Sequence, residues 1–188
     1  WKGLPKGIKA QGNIYIHSGH VQSYCAQTSG DPTGEAIESK DGIYINGGFV
    51  EANAYDDAIN CANHIEVNGG YVWAYSRGND AIDCNGAYSQ FNGGIVIAAG
   101  SEEAIDANCD GMGGTQGHLQ INGATIVAYR ASSGGGGMAL LDSPTYMNGQ
   151  KYLSPSNITT GNRYCIKNSG GDPVMILNHQ AVSGNRSE

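Results

Sequence analysis

Apolar and polar residues alternate along most of the chain in short runs, each closed by Asn, Gly or Asp. In one such stretch Ile43 and Ile45 point one way and Tyr44 the other. After a Gly-Gly corner, Val50 and Ala52 point inward while Phe49, Glu51 and Asn53 point outward. The next stretch repeats this with Ile65 and Val67, then Val72 and Ala74. A period of two over a few residues predicts strands, and Asn and Gly between them tolerate the left-handed backbone of tight corners.

The strands recur as a set. Gly34-Glu35-Ala36-Ile37-Glu38 is echoed by Asp57-Ala58-Ile59-Asn60, Asp80-Ala81-Ile82-Asp83 and Glu103-Ala104-Ile105-Asp106, with Gly7-Ile8-Lys9-Ala10 as a weaker first copy. The isoleucines lie 29, 22, 23 and 23 residues apart. A second landmark follows each: His17-Ser18-Gly19, Asn46-Gly47-Gly48, Asn68-Gly69-Gly70, Asn92-Gly93-Gly94 and Asn122-Gly123-Ala124. A unit of this size cannot bury its apolar side alone, whereas stacked units can. The pattern predicts an all-β fold, a single-stranded parallel β-helix of about five coils with three short strands each, right-handed as parallel crossovers are. Leucine-rich and nonapeptide calcium-roll patterns are absent. The repeats occupy residues 1–130. Residues 131–188 read as a Gly-rich connection (Gly134 to Gly137) followed by a terminal coil and irregular cap of the same domain, as an open solenoid end requires.

Composition narrows the function. Glycine supplies 30 of 188 residues and charged residues 14%, against a usual ~7% glycine and ~25% charge. A net charge of −7 argues against nucleic-acid binding, which needs cations for phosphate. No apolar run reaches the ~20 residues of a membrane span. The chain opens at Trp1 with no signal peptide, which reads as a processed or trimmed chain. Cys25, Cys61, Cys84, Cys109 and Cys165 form no C-x-x-C pair, so neither a disulfide framework nor a zinc site has a signature.

Stacking converts each repeat position into a column. Ala10, Ser39, Cys61, Cys84 and Ala107 form a small, inward one, in which Cys61 and Cys84 read as buried thiols or, less simply, a disulfide. Acids fill two others: Glu35, Asp57, Asp80 and Glu103; then Lys9, Glu38, Asn60, Asp83 and Asp106. Aligned carboxylates ~5 Å apart repel by roughly 1 kcal/mol in water. Hard oxygens from several strands suit Ca²⁺. The expected ligands are Asp57, Asp80, Asp83 and Asp106, with Asn60 and Glu103 as secondary ones; the alternative is a set of polar corner residues without metal. Rings fill the outward columns after Gly-Gly: His20, Phe49 and Tyr71; Gln22, Glu51 and Trp73; Tyr24, Asn53 and Tyr75. An apolar surface of this kind marks either an interaction face or packing under another segment. As a carbohydrate platform it centres on Trp73, with Tyr71, Tyr75, Phe49 and Glu51 around it.

The combination of Gly-Ile-Lys-Ala-x-Gly-Asn-Ile-Tyr-Ile, Ala-Ile-x-Ser/Cys and Ile-x-Ile/Val-Asn-Gly-Gly over residues 7–130 resembles a bacterial carbohydrate-binding β-helix family, formerly a domain of unknown function. The resemblance implies a pectate-lyase-like fold, bound calcium, cellulose or pectin as the polysaccharide partner, and a secreted or cell-surface location. Its acidic positions fall on Glu35 and Glu38, Asp57 and Asn60, Asp80 and Asp83, and Glu103 and Asp106. Non-catalytic binding is the expected function. A calcium-dependent lyase would need a base such as Arg77, Lys9 or Lys40 beside the metal. A structural adhesin repeat would use the acids for rigidity alone.

Overall fold

The computed structural model describes residues 5–25, 34–107, 118–130, 141–142, 144–153 and 162–178. The chain divides into two compact units, Trp1–Gln150 and Lys151–Glu188.

In the first unit every turn supplies one strand to each of three sheets. The first turn gives β1 (Ile8–Ala10), β2 (Ile14–Ile16) and β3 (His20–Tyr24), and the second β4 (Ile37–Ser39), β5 (Gly42–Ile45) and β6 (Phe49–Ala54). The third gives β7 (Ile59–Cys61), β8 (His64–Val67) and β9 (Tyr71–Ser76). The fourth gives β10 (Ile82–Cys84), β11 (Tyr88–Phe91) and β12 (Ile95–Gly100). The fifth gives β13 (Ile105–Asp106), β14 (Leu119–Ile121) and β15 (Thr125–Arg130). The sheets run β1-β4-β7-β10-β13, β2-β5-β8-β11-β14-β16 and β3-β6-β9-β12-β15, all parallel, with β16 spanning Thr145–Tyr146. This is the parallel β-helix that the repeat predicts.

Register follows the sequence landmarks. Ile8, Ile37, Ile59, Ile82 and Ile105 stand in one column, and the last four are at most 1% exposed. Ile43 and Ile65 line the second wall of the core, and Val50, Val72 and Val96 the third. Each such side chain contributes about 1.5–3 kcal/mol on burial. A one-residue slip would exchange these for Glu, Asn and Tyr, so the alternation fixes the stacking.

The corner between the second and third sheets carries an amide ladder. Asn68 donates to Asn46 and Asn92 to Asn68, both at 2.9 Å; Asn122 donates to Asn92 at 3.4 Å, and Asn148 to Asn122 at 2.6 Å. Beside it Gly19, Gly48, Gly70 and Gly94 hold φ between 80° and 86°. A Cβ on Gly70 would stand 2.5 Å from the Gly48 carbonyl oxygen, so stacking as well as φ demands glycine there. Where Ala124 replaces the second glycine, the positive φ moves back to Gly123 at 103°, since alanine resists that region.

A partial sixth turn follows the five. Leu141 bridges Ile105, Asp142 N–H donates to the Ile105 carbonyl at 3.1 Å, and β16 pairs with β14. Leu141-Asp142 and Asn148-Gly149 are its diverged landmarks. The Gly134–Gly137 connection and Cys109 lie outside the described residues. In the second unit β17 (Arg163–Lys167) pairs antiparallel with β18 (Pro173–Asn178). Among the described residues no helix is long and apolar enough to cross a membrane.

Candidate functional site

The two acidic columns meet at the entrance to the first sheet. Backbone bonds stack Glu35, Asp57, Asp80 and Glu103: the amides of Ala36, Ala58 and Ala81 donate to the carbonyls of Asp57, Asp80 and Glu103 at 3.4, 3.2 and 3.2 Å. Strand register aligns Lys9, Glu38, Asn60, Asp83 and Asp106. Glu35, Glu38, Asp57, Asp80, Asp83 and Glu103 are all buried, while Asn60 and Asp106 are half-buried.

Burying so many carboxylates requires compensation, and it differs along the axis. At the first two turns lysines supply it. Lys6 pairs with Glu35 and lies 3.8 Å from Glu38; Lys9 reaches Glu38 at 2.7 Å, and Lys40 joins the same carboxylate. Burial pushes the Glu38 carboxyl up, but Lys40, Lys9 and Lys6 together hold it below its ordinary value.

At the third and fourth turns amides replace ammonium groups. Asn60 Nδ2 donates to Asp57 Oδ2 and to Asp83 Oδ2, both at 2.8 Å. Asn85 adds a bond to Asp83 at 2.6 Å and Asn79 one to Asp57 at 2.8 Å. The backbone N–H of Asp80 donates to Asp57 Oδ1 at 3.2 Å, and that of Glu103 to Asp80 Oδ1 at 2.6 Å. Hydrogen bonds to neutral donors offset desolvation less fully than cations do. Burial accordingly raises Asp57 and Asp83, and lifts Asp80 to about 7.

Among the described residues one group of three acids brings an oxygen from each within 4.8 Å of the others: Glu35, Asp56 and Asp57. Of the expected ligands it contains Asp57. Asp80, Asp83, Glu103 and Asp106 continue the columns toward later turns, with Asn60 bridging Asp57 to Asp83. Asp56 was legible only as the first acid of the Asp56-Asp57 doublet before Ala58. The set is all hard oxygen, as Ca²⁺ takes, and the Lys6 ammonium on Glu35 shows that this corner already attracts a cation.

The bases that lyase chemistry would use are engaged. Lys9 and Lys40 bind Glu38, and Arg77 Nη2 donates to the Cys25 carbonyl at 3.4 Å. Cys61 and Cys84 are in register, buried and free, the simpler of the two readings.

On the outer face of the third sheet the columns align as expected: His20, Phe49, Tyr71, Ile95 and Thr125; Gln22, Glu51, Trp73, Ile97 and Val127; Tyr24, Asn53, Tyr75, Ala99 and Tyr129. Ring centroids lie 4.7 Å apart for His20–Phe49, 5.0 Å for Phe49–Tyr71 and 5.9 Å for Trp73–Tyr75. Phe49, Tyr71 and Trp73 are half-buried. Two residues expected at the surface are covered: Glu51 is 4% and Tyr75 3% exposed. Glu51 accepts from Gln22 at 2.7 Å and from Tyr24 Oη at 2.8 Å, so it orients neighbours beneath the rings instead of standing at their rim.

A second row of rings, which the landmark columns did not single out, lies on the outer face of the second sheet. Tyr15 stacks on Tyr44 at 4.7 Å, Tyr44 meets His64 edge-on at 5.0 Å, and His64 stacks on Tyr88 at 5.1 Å. The signal available was Tyr15 and Tyr44 at equivalent positions of Ile-Tyr-Ile.

A family model described as "Carbohydrate-binding domain-containing protein" matches residues 30–172. No curated protein and no solved structure matches the chain.

Proposed function

The chain belongs to the carbohydrate-binding domain-containing family, and from that premise we propose that it binds polysaccharide without cleaving it, on the outer face of the third sheet. The observation that carries this reading is the row His20–Phe49–Tyr71 with Trp73 beside it, rings held at one-coil spacing by an in-register parallel sheet. Apolar ring surface suits the C–H faces of pyranose sugars, and a rigid backbone orders no loop on binding. The engagement of Lys9, Lys40 and Arg77 favours binding over elimination chemistry. A place outside the cell, secreted or at a bacterial surface, follows from a polymeric ligand.

Calcium completes the reading as a structural or ligand-bridging ion. Glu35, Asp56 and Asp57 would hold it, with Lys6 swinging off Glu35, and Asp80, Asp83, Asn60, Glu103 and Asp106 extend the acidic row that draws it in. Pectic ligands, being anionic, would need that ion as a bridge on a chain of net charge −7; cellulosic ones would not. Calorimetric titration of wild type and Trp73→Ala with cellohexaose and with hexagalacturonate tests the proposal. The expected result is a loss of roughly tenfold or more in the variant, on the scale of one stacked aromatic. Equal affinity in both proteins would overturn the third-sheet face.

A further inference from the structure

The strip of rings on the second sheet combines aromatic and amide side chains with a single carboxylate. Across β2, β5, β8, β11, β14 and β16 the outward positions read Tyr15, then Gly42 and Tyr44, then His64 and Glu66, then Tyr88 and Gln90, then Gln120, then Thr145. Glu66 is the one carboxylate in these strands, and they contain no lysine or arginine. Register places Tyr44, Glu66, Gln90, Gln120 and Thr145 in one column with Tyr15 at its head, and His64 and Tyr88 in the column beside it.

The polar groups of the strip are ordered. Tyr44 Oη bonds His64 Nε2, Tyr88 Oη donates to Glu66 Oε1 at 2.9 Å, and Gln90 Nε2 donates to Gln120 Oε1 at 3.0 Å. Tyr15 is 54% exposed, with Tyr44, His64 and Tyr88 half-buried behind it. Tyr15 and Tyr44 are parallel to within 7° at a centroid distance of 4.7 Å. Carbon surfaces touch at about 3.5–4 Å, so the two rings are slid past one another and each keeps a margin of its face open.

We propose that this strip is a second glycan-binding site, and that its ligand is a neutral β-linked chain lying along the solenoid axis. Three features commit it to that occupant. The rings recur at 4.7–5.1 Å, close to the advance of one pyranose unit in an extended β-linked chain, so successive sugars meet one ring on each successive turn, first in the Tyr15–Tyr44 column and then in the His64–Tyr88 column beside it. Beside Tyr88 on the same strand, and on the turn after it, the strip carries amides, Gln90 and Gln120, which donate to and accept from sugar hydroxyls. Its charge selects against uronates: Glu66 repels a carboxylate, and no cation on these strands answers one. The inference rests on the reading of the chain as a glycan binder, and is independent of whether the third sheet is the face used there.

The test is calorimetric titration of the full chain with cellohexaose and hexagalacturonate, in wild type and in Tyr15→Ala, Tyr44→Ala, Tyr44→Phe and Trp73→Ala. Tyr15→Ala and Tyr44→Ala are each expected to weaken cellohexaose binding roughly threefold to tenfold. Tyr44→Phe, which keeps the ring and loses only the His64 bond, is expected to retain more than half the wild-type affinity. Tyr15 is exposed and lies at the end of the row, so its truncation leaves the fold intact, as circular dichroism will verify. Wild-type affinity in both alanine variants, or a wild type that binds hexagalacturonate and not cellohexaose, would overturn the second site. Loss in Trp73→Ala alone leaves the third-sheet reading standing and removes this one; loss in the tyrosine variants alone does the reverse.

Discussion

Asn92 donates its side-chain amide to Asn68 Oδ1 at 2.9 Å, one turn of the solenoid away. Asn68 in turn donates to Asn46, so each amide both gives and receives along the axis. Truncating Asn68 to Ala removes two of these bonds at a solvent-exposed corner, where each contributes about 0.5–1 kcal/mol. The expected loss is about 1–2 kcal/mol, read as a lower denaturant midpoint with an unchanged m-value. Gly70→Ala is expected to cost more than Asn68→Ala, because it adds a contact at 2.5 Å to a φ of 83°. Equal or reversed costs would mean that the corner relaxes more easily than its stacked carbonyls suggest.

The buried acids set a pH dependence with a definite sign. The Asp80 carboxyl is raised from 3.8 to about 7 by burial, so the folded chain holds this proton more tightly than the unfolded one. Below about pH 4 both states are protonated and nothing is lost. As pH climbs toward 7 the unfolded chain ionises first, and stability falls by up to about 1.4 kcal/mol per pH unit for one such group. Glu38 works oppositely, its lowered carboxyl losing stability only under acid conditions below that window. In a chelating buffer the melting temperature is therefore expected to be higher at pH 5 than at pH 7.5. Asp80→Asn, which keeps an oxygen for the Glu103 amide, should flatten the slope.

Calcium should reverse that trend. An ion bound only by the folded state stabilises by about 2.7 kcal/mol at a hundredfold excess over its dissociation constant. Added Ca²⁺ is expected to raise the melting temperature at pH 7.5 in a saturable way, and Asp56→Asn with Asp57→Asn to abolish the rise. A rise preserved in that double variant would place the ion elsewhere on the acidic row.

Thiol labelling separates the cysteines by depth. Cys25, Cys61 and Cys84 are 4%, 0% and 1% exposed, whereas Cys165 lies exposed on β17. The hydrogen bond with the neighbouring Cys84, together with burial, holds the Cys61 thiol well above its ordinary pKa, which suppresses the reactive thiolate. Peptide mapping after brief alkylation of the native protein should find Cys165 modified and those three intact, with all of them labelled in denaturant.

The fold was legible because a solenoid writes its geometry as a period. Two landmarks in fixed order gave the coil length, and alternation between them gave the core. The register of Lys9, Glu38, Asn60, Asp83 and Asp106 follows from nothing more. What stayed hidden depends on reach in place of position. Glu51 has outward parity, but Gln22 and Tyr24 from the preceding turn bond its carboxylate, and Trp73 stands beside it in register on the next turn. The convergence of Lys6 and Lys40 on the acids of the second turn comes from residues off the columns. The sixth turn lacks the isoleucine landmark, because Leu141 stands where every earlier copy has isoleucine.

The asymmetry between lysines on the early turns and amides on the later ones bounds how such a chain can grow. A tandem duplicate of residues 78–101 would insert two further aspartates and no basic residue. Each added storey would then fold only by taking up protons or cations from its surroundings, so lengthening the tower would tie its assembly ever more closely to the local supply of either.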